Sequence, residues 1–147
     1  MPFTKDSCQT VVLDTNIVLD VFVFNDSATL PLRNGLLSGS LQWLATEPMR
    51  DELERVLTYP KLIKQMVIQQ LDATAVLDRF DRLARLLPVV LKAPVTCKDP
   101  DDQKFIDLAF AHRTWLLSRD RAILSLSKRL LSLSVTAQAT ISQPGCQ

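Results

Sequence analysis

Two carboxylates stand at the ends of apolar runs. Asp14 directly follows the β-branched stretch Thr10-Val-Val-Leu13, and Asp120 follows Thr114-Trp-Leu-Leu-Ser118 after a single arginine. A third, Asp102, ends the segment Lys98-Asp99-Pro-Asp-Asp102 at the start of a helical pattern, and Glu52 lies one turn into another. Carboxylates gathered at one place repel, and desolvation adds to the cost, so a fold tolerates them mainly when a cation fills the site. Hard oxygen donors with no His or Cys partner select Mg²⁺ or Mn²⁺ over zinc. Such an ion binds a phosphodiester, lowers the pKa of a bound water and stabilises the leaving oxygen. The chemistry indicated is metal-assisted hydrolysis of a phosphate ester.

Each acid also has an ordinary structural role open to it. Asp14 can receive turn hydrogen bonds. Asp99 before Pro100 has the form of a helix N-cap with proline at the first helical position, which places Asp102 in the first turn, where it complements the helix dipole. Asp120 can cap the helix that follows it, and Glu52, among Asp51, Glu54 and Arg55, has the setting of a solvated face. Order and placement, rather than any one residue, carry the chemical reading. The single histidine, His112, falls near a helix end and cannot form a histidine metal cluster. Arg79, Arg82 and Arg85 form either a basic stripe or, with Asp78 and Asp81, an ordinary charged face. No Gly-x-Ser-x-Gly element or Walker-type loop is present.

The elements that must position these residues alternate between strand and helix. Short apolar runs at Thr10–Leu13, Leu41–Ala45, Val89–Leu91, Thr114–Ser118 and Leu133–Thr136 predict strands. Helical patterns cover Ile17–Phe24, Leu32–Leu37, a segment opened by Thr46 and ended at Tyr59-Pro60, one or two helices within Leu62–Leu87, a helix after Asp102, and Ile123–Leu131. In the helix after Asp102, the expected inward residues are Phe105, Ile106, Leu108, Ala109 and Phe110. This alternation predicts βαβ units, hence an α/β fold around a mainly parallel sheet, and carboxylates at strand ends sit where such sheets collect ligands.

The chain of 147 residues fits one domain, 1–147, with a core at about 10–136 and a short polar C-terminal tail. A 47% hydrophobic content suits a packed core, while 3 glycines and 6% aromatics argue against phosphate loops and stacking platforms. Cys8, Cys97 and Cys146 are odd in number and widely spaced, which indicates neither a disulfide framework nor a thiolate metal site. Cys97 reads as a small buried residue. The polar start and the lack of a long apolar run predict a cytoplasmic protein without membrane attachment. The formal charge is +1, distributed as −4 over residues 1–58, +4 over 59–98 and +1 over 99–147. Setting aside Asp14, Glu52, Asp102 and Asp120 raises the balance to +5, so the near-neutral sum argues only against tight, metal-free, non-specific binding of nucleic acid.

The sequence resembles the PIN-domain family of metal-dependent ribonucleases. The resemblance rests on Val-Val-Leu-Asp14-Thr15-Asn16, Asp51-Glu52-Leu-Glu-Arg-Val-Leu57, Lys98-Asp99-Pro-Asp-Asp102-Gln-Lys-Phe-Ile-Asp-Leu-Ala109 and Leu-Leu-Ser118-Arg-Asp120-Arg-Ala-Ile-Leu124, in order, over roughly residues 10 to 136. The Asp-Pro-Asp-Asp form is similar to the subgroup of toxin components related to VapC-type toxins. The resemblance implies a three-layer α/β/α sandwich. It implies that Asp14, Glu52, Asp102 and Asp120 form an acidic quartet binding Mg²⁺ or Mn²⁺, that Asn16 and Ser118 orient those acids, and that Asp99 is an additional nearby carboxylate. It further implies an RNA substrate, a homodimer and an inhibiting antitoxin protein. The departure is Arg119, where the family commonly has a small residue such as glycine. Its bulk and charge, with Arg121, would contact substrate phosphate or neutralise part of the acid cluster.

Two other readings stay open at this level. One is a PIN-like module with weak or no activity that works by RNA or protein contact. The other is a small-molecule phosphohydrolase, ranked last because such enzymes commonly carry Asp-x-Asp where this strand ends Asp14-Thr-Asn16.

Overall fold

The computed structural model describes residues 9–141. Five parallel strands form one sheet: β1 (Gln9–Leu13), β2 (Leu41–Ala45), β3 (Ala84–Leu86), β4 (Trp115–Leu117) and β5 (Thr136–Gln138), in the order β3-β2-β1-β4-β5. Parallel neighbours need crossover connections, and these are right-handed. The chain therefore covers one face with α1 (Thr15–Phe22), α2 (Leu30–Ser38), α3 (Glu47–Val56), α4 (Pro60–Ile68) and α5 (Ala73–Leu83). It then reverses direction across the sheet and covers the other face with α6 (Gln103–His112), α7 (Arg121–Leu124) and α8 (Ser127–Ser132). The result is the expected three-layer α/β/α sandwich.

The central strands are apolar because both of their faces are covered. Val11, Val12, Leu116 and Leu117 are wholly buried. Trp43 on β2 joins the layers by stacking on Phe22 of α1 and meeting Phe80 of α5 edge-on, with ring centroids 6.1 Å and 4.9 Å away. Proline opens α3 and α4 in their first turns, where its missing N–H is not needed, and Tyr59-Pro60 both ends one helical stretch and starts the next. Gly39 ends α2 at φ +88°, a left-handed backbone that other residues rarely adopt.

Several boundaries differ from the sequence pattern. The run Val89–Leu91 is not a strand: Val89 is 68% exposed and Leu91 91% exposed. The third strand is instead Ala84–Leu86, at the end of the helical pattern, where it pairs with β2 in the register Trp43↔Ala84. Pro88 and Pro94 flank the exposed run and remove ladder donors, so the edge position falls to the segment that leaves α5 beside β2. The last strand lies beyond Leu133–Thr136 at Thr136–Gln138, because Ser134 turns with φ 68° and only then does the chain meet β4. The pattern Ile123–Leu131 divides into α7 and α8. Phe110 is only partly buried, while Phe105, Ile106, Leu108 and Ala109 face inward as expected. No helix among the described residues is long and apolar enough to cross a membrane. Cys8, Cys146 and the polar ends lie outside the described residues, and Cys97 is free and buried.

Candidate metal centre at the sheet switch point

The strand order places β1 beside β4 where the winding direction reverses, and ligands of open α/β sheets collect at the carboxyl ends of strands at such a point. The backbone makes the junction tight, since the Asp14 N–H donates to the Leu117 carbonyl at 3.0 Å. Asp14 thus leaves β1 beside Ser118 and Asp120 leaving β4. The third acid arrives from the far side of the sheet. Asp99 accepts from the Asp101 N–H at 2.9 Å and starts the short 3₁₀ turn Pro100–Asp102, which leads into α6. Asp14, Asp102 and Asp120 each offer a carboxylate oxygen, and these oxygens all lie within 4.8 Å of one another.

Ser118 ties two of the three together. Its Oγ donates to Asp14 Oδ2 at 2.7 Å and accepts from the Asp120 N–H at 2.9 Å, within a site where Ser118 is wholly buried. Asp120 also accepts from the Ala122 N–H at 2.9 Å, so it caps α7 while keeping its carboxylate at the cluster. Asp14 occupies the cap position of α1 without a side-chain cap hydrogen bond. Its carboxylate is shared between the Ser118 hydroxyl, the backbone amide of Asn16 and the other acids.

The three carboxyls are shifted in different directions. Burial pushes the Asp14 carboxyl up, Ser118 and the nearby Asn16 amide oppose this, and the charges of Asp120 and Glu52 add to it. Asp102 is pushed up to about 8, first by burial, then by its hydrogen bond to Asp120 and by the charges of Asp14, Asp120 and Asp99. Asp120 moves the opposite way, held low mainly by the same contact with Asp102 and then by the Ala122 amide. Without a cation, a proton held by Asp102 beside Asp120 would relieve part of the repulsion. Asp102 Oδ2 is buried with no hydrogen-bond partner among the described residues. An orphaned carboxylate oxygen beside two more carboxylates, with no nitrogen or sulfur ligand in the group, fits a hard divalent cation of the Mg²⁺ or Mn²⁺ kind.

Glu52 lies beside this trio and not within it. Its Oε2 accepts from Thr15 Oγ1 at 2.6 Å, and its Oε1 forms an ion pair with Lys104 Nζ. Lys104 also donates to the Asp101 carbonyl, which anchors it over the 3₁₀ turn. Asp99 serves as the cap and stays outside the cluster. Asn16 is exposed at the start of α1. Arg119 does not neutralise the trio. It forms a two-pronged ion pair with Asp20 of α1, Nε to Oδ2 at 2.7 Å and Nη2 to Oδ1 at 3.0 Å. Arg121 is exposed at the first position of α7. His112 ends α6, as its position in the pattern implies.

Sequence reasoning passed over Asp20, Thr15 and Lys104. Asp20 carried a signal: it is an isolated acid in the apolar stretch Ile17–Phe24, and a buried carboxylate needs a partner. Lys104 had no signal of its own, because its distance from Glu52 is closed only when α6 packs across the sheet. The arginine series resolves into separate contacts. Arg82 pairs with Asp78 at 3.0 Å, Arg79 lies over the Phe22 ring, and Asp81 is taken by Arg50 of α3.

Fold and site together define an open parallel α/β protein with an acidic, cation-fitting centre at its switch point. The sequence model of the PIN domain matches residues 10–122, a span that contains the whole trio, and the chain belongs to the PIN-domain family. No curated protein is significantly similar to the chain. Among solved structures, that of VapBC2 from Rickettsia felis bound to a DNA fragment from their promoter is similar, with a TM-score of 0.57 and 14% identity, covering 88% of this chain and 98% of that one. At that identity the likeness is one of fold.

Proposed function

We propose that the protein is a metal-dependent endoribonuclease of one domain, acting in the cytoplasm as the toxin of a toxin–antitoxin pair. The observation that carries the nuclease reading is the trio of buried Asp14, buried Asp102 and half-buried Asp120, with its unpartnered Asp102 oxygen. A bound Mg²⁺ or Mn²⁺ would supply Lewis-acid stabilisation of a phosphodiester oxygen and an acidified water. Asp14, Asp102 and Asp120 would hold it, with Ser118 fixing the angle between the first and last. Glu52, anchored beside the trio by Thr15 and Lys104, would act as a proton acceptor or as a further metal ligand. The family and the similar VapBC2 structure support an antitoxin partner, and a homodimer accompanies this reading. The alternative of an inactive RNA- or protein-binding module drew its force from Arg119, whose pairing with Asp20 leaves the trio unneutralised.

The test is cleavage of single-stranded RNA with Mg²⁺ or Mn²⁺ by the wild type and by Asp14→Asn and Asp120→Asn. Cleavage that needs the ion and disappears in both variants is expected. Cleavage unchanged in both would overturn the assignment.

A further inference from the structure

Beside the acidic trio lies an open cavity of about 520 Å³, within the range of small-ligand sites. It shares two neighbours with the trio, since Asn16 and Arg119 line it and stand within two residues of Asp14 and Asp120. The rest of its wall includes Leu19, Phe24, Leu62 and Lys61. Arg119 is the unusual member. Its side chain is 56% exposed, yet its orientation is fixed by the paired contact to Asp20, which is only 8% exposed. Asp20 takes the Nε and Nη2 edge. No other hydrogen bond reaches this guanidinium among the described residues, and the half-exposed side chain lines the cavity, which leaves Nη1 available to a ligand there. Arginine gains recognition power when it is held rigid, because less rotamer freedom is lost on binding.

The charges around the cavity balance, with Arg119 and Lys61 against Asp20 and Asp26. A site built only to hold phosphate would be net positive. A balanced wall with apolar patches, a fixed guanidinium plane, an aromatic ring and an exposed amide suits a nucleoside, with the base stacked and its edge hydrogen-bonded. We infer that this cavity is a nucleoside subsite for the nucleotide flanking the scissile phosphate, with Arg119 as the residue that selects the base and Asp20 as the residue that positions Arg119. This rests on the nuclease reading above for the identity of the substrate.

The test separates the two. Binding of a labelled single-stranded RNA of about six nucleotides is followed by fluorescence anisotropy in EDTA, where cleavage cannot occur, and cleavage is mapped separately with Mn²⁺. Arg119→Ala is expected to bind about tenfold more weakly, the lower end of what stacking on a base contributes. It should also lose the wild-type base preference at one flanking position, while binding Mn²⁺ as the wild type does. Arg119→Lys keeps the charge and should restore little of either property. Arg119 is exposed, so these variants should fold, and Lys61→Ala provides a second exposed probe of the same wall. Wild-type RNA that binds in an Arg119-dependent way but is never cleaved would sink the nuclease reading and leave the subsite standing. Equal binding and equal base preference in wild type and Arg119→Ala would overturn the subsite, as would RNA failing to bind the wild type. Loss in Arg119→Ala of binding to a protein partner, with RNA binding unchanged, would assign the cavity to a protein and overturn it too.

Discussion

Two groups of acids lie near the junction of β1 and β4, and the fold treats them in opposite ways. Asp20 and Glu52 are each given a cation from the chain itself, Arg119 and Lys104. Asp14, Asp102 and Asp120 are given only one another, a serine hydroxyl and the backbone amides of Asn16 and Ala122. A buried carboxylate with an internal partner is a structural fixture. Three without one form a group whose mutual repulsion a divalent cation would relieve. The contrast shows that sequence acidity does not define a metal centre. What defines it is which acids the fold leaves unpaired.

The largest effect should come from removing a member of the unpaired group. Asp120→Asn and Asp14→Asn should each lower metal-dependent cleavage by at least about a hundredfold, since even second-layer partners of metal ligands cost 10–100-fold. In EDTA, however, Asp14→Asn should be as stable as the wild type or more so, because it relieves repulsion; a large loss of Tm there would mean that Asp14 is a structural residue. Next comes the hydroxyl that orients the group. Ser118→Ala should weaken Mn²⁺ binding by about 10–100-fold by calorimetry. Unchanged affinity would show that the backbone alone fixes the trio.

The paired group should behave differently. Lys104→Met leaves Glu52 without its cation and should cost about 1–3 kcal/mol of stability in EDTA, measured by urea unfolding, with part of the loss recovered on adding Mn²⁺. If no recovery occurs, Glu52 does not feel the metal centre. The pH dependence separates the groups again. Asp102 titrates at about 8 in the folded chain against an ordinary 3.8, so the folded state binds its proton more tightly. Its contribution to stability is full below about pH 4 and is lost as pH rises toward 8. The gain in Tm from Mn²⁺ over EDTA should therefore grow across that window, by on the order of 5 °C. A flat difference would contradict a proton held by Asp102. The smallest effect belongs to a pair remote from the trio: Arg50→Ala, which breaks the exposed contact with Asp81, should cost about 0.2–1 kcal/mol and leave Mn²⁺ binding untouched.

Much of this was legible in the amino-acid order. Residues 10–13 and 114–118 read as strands because they lack charged interruptions, and Asp14 and Asp120 follow from those strand ends by counting. Asp99 before Pro100 announced its cap and thereby the position of Asp102. Edge elements were less legible. The strand at Ala84–Leu86 carries Arg85 and lies half in solvent, so its pattern blends with the helix before it, whereas the more apolar Val89–Leu91 is exposed.

The sequence by itself determined the βαβ alternation, the apolar central strands and the presence of carboxylates at their ends, because these depend on local periodicity and on strand termination. Only the tertiary structure decided which carboxylates meet, that Glu52 is claimed by Lys104 and Thr15, and that Arg119 turns to Asp20 and away from the trio. Those outcomes depend on side chains distant in the sequence, 37 residues for Thr15 and Glu52 and 99 for Arg119 and Asp20, and no local pattern encodes a distance that is closed only when the sheet forms.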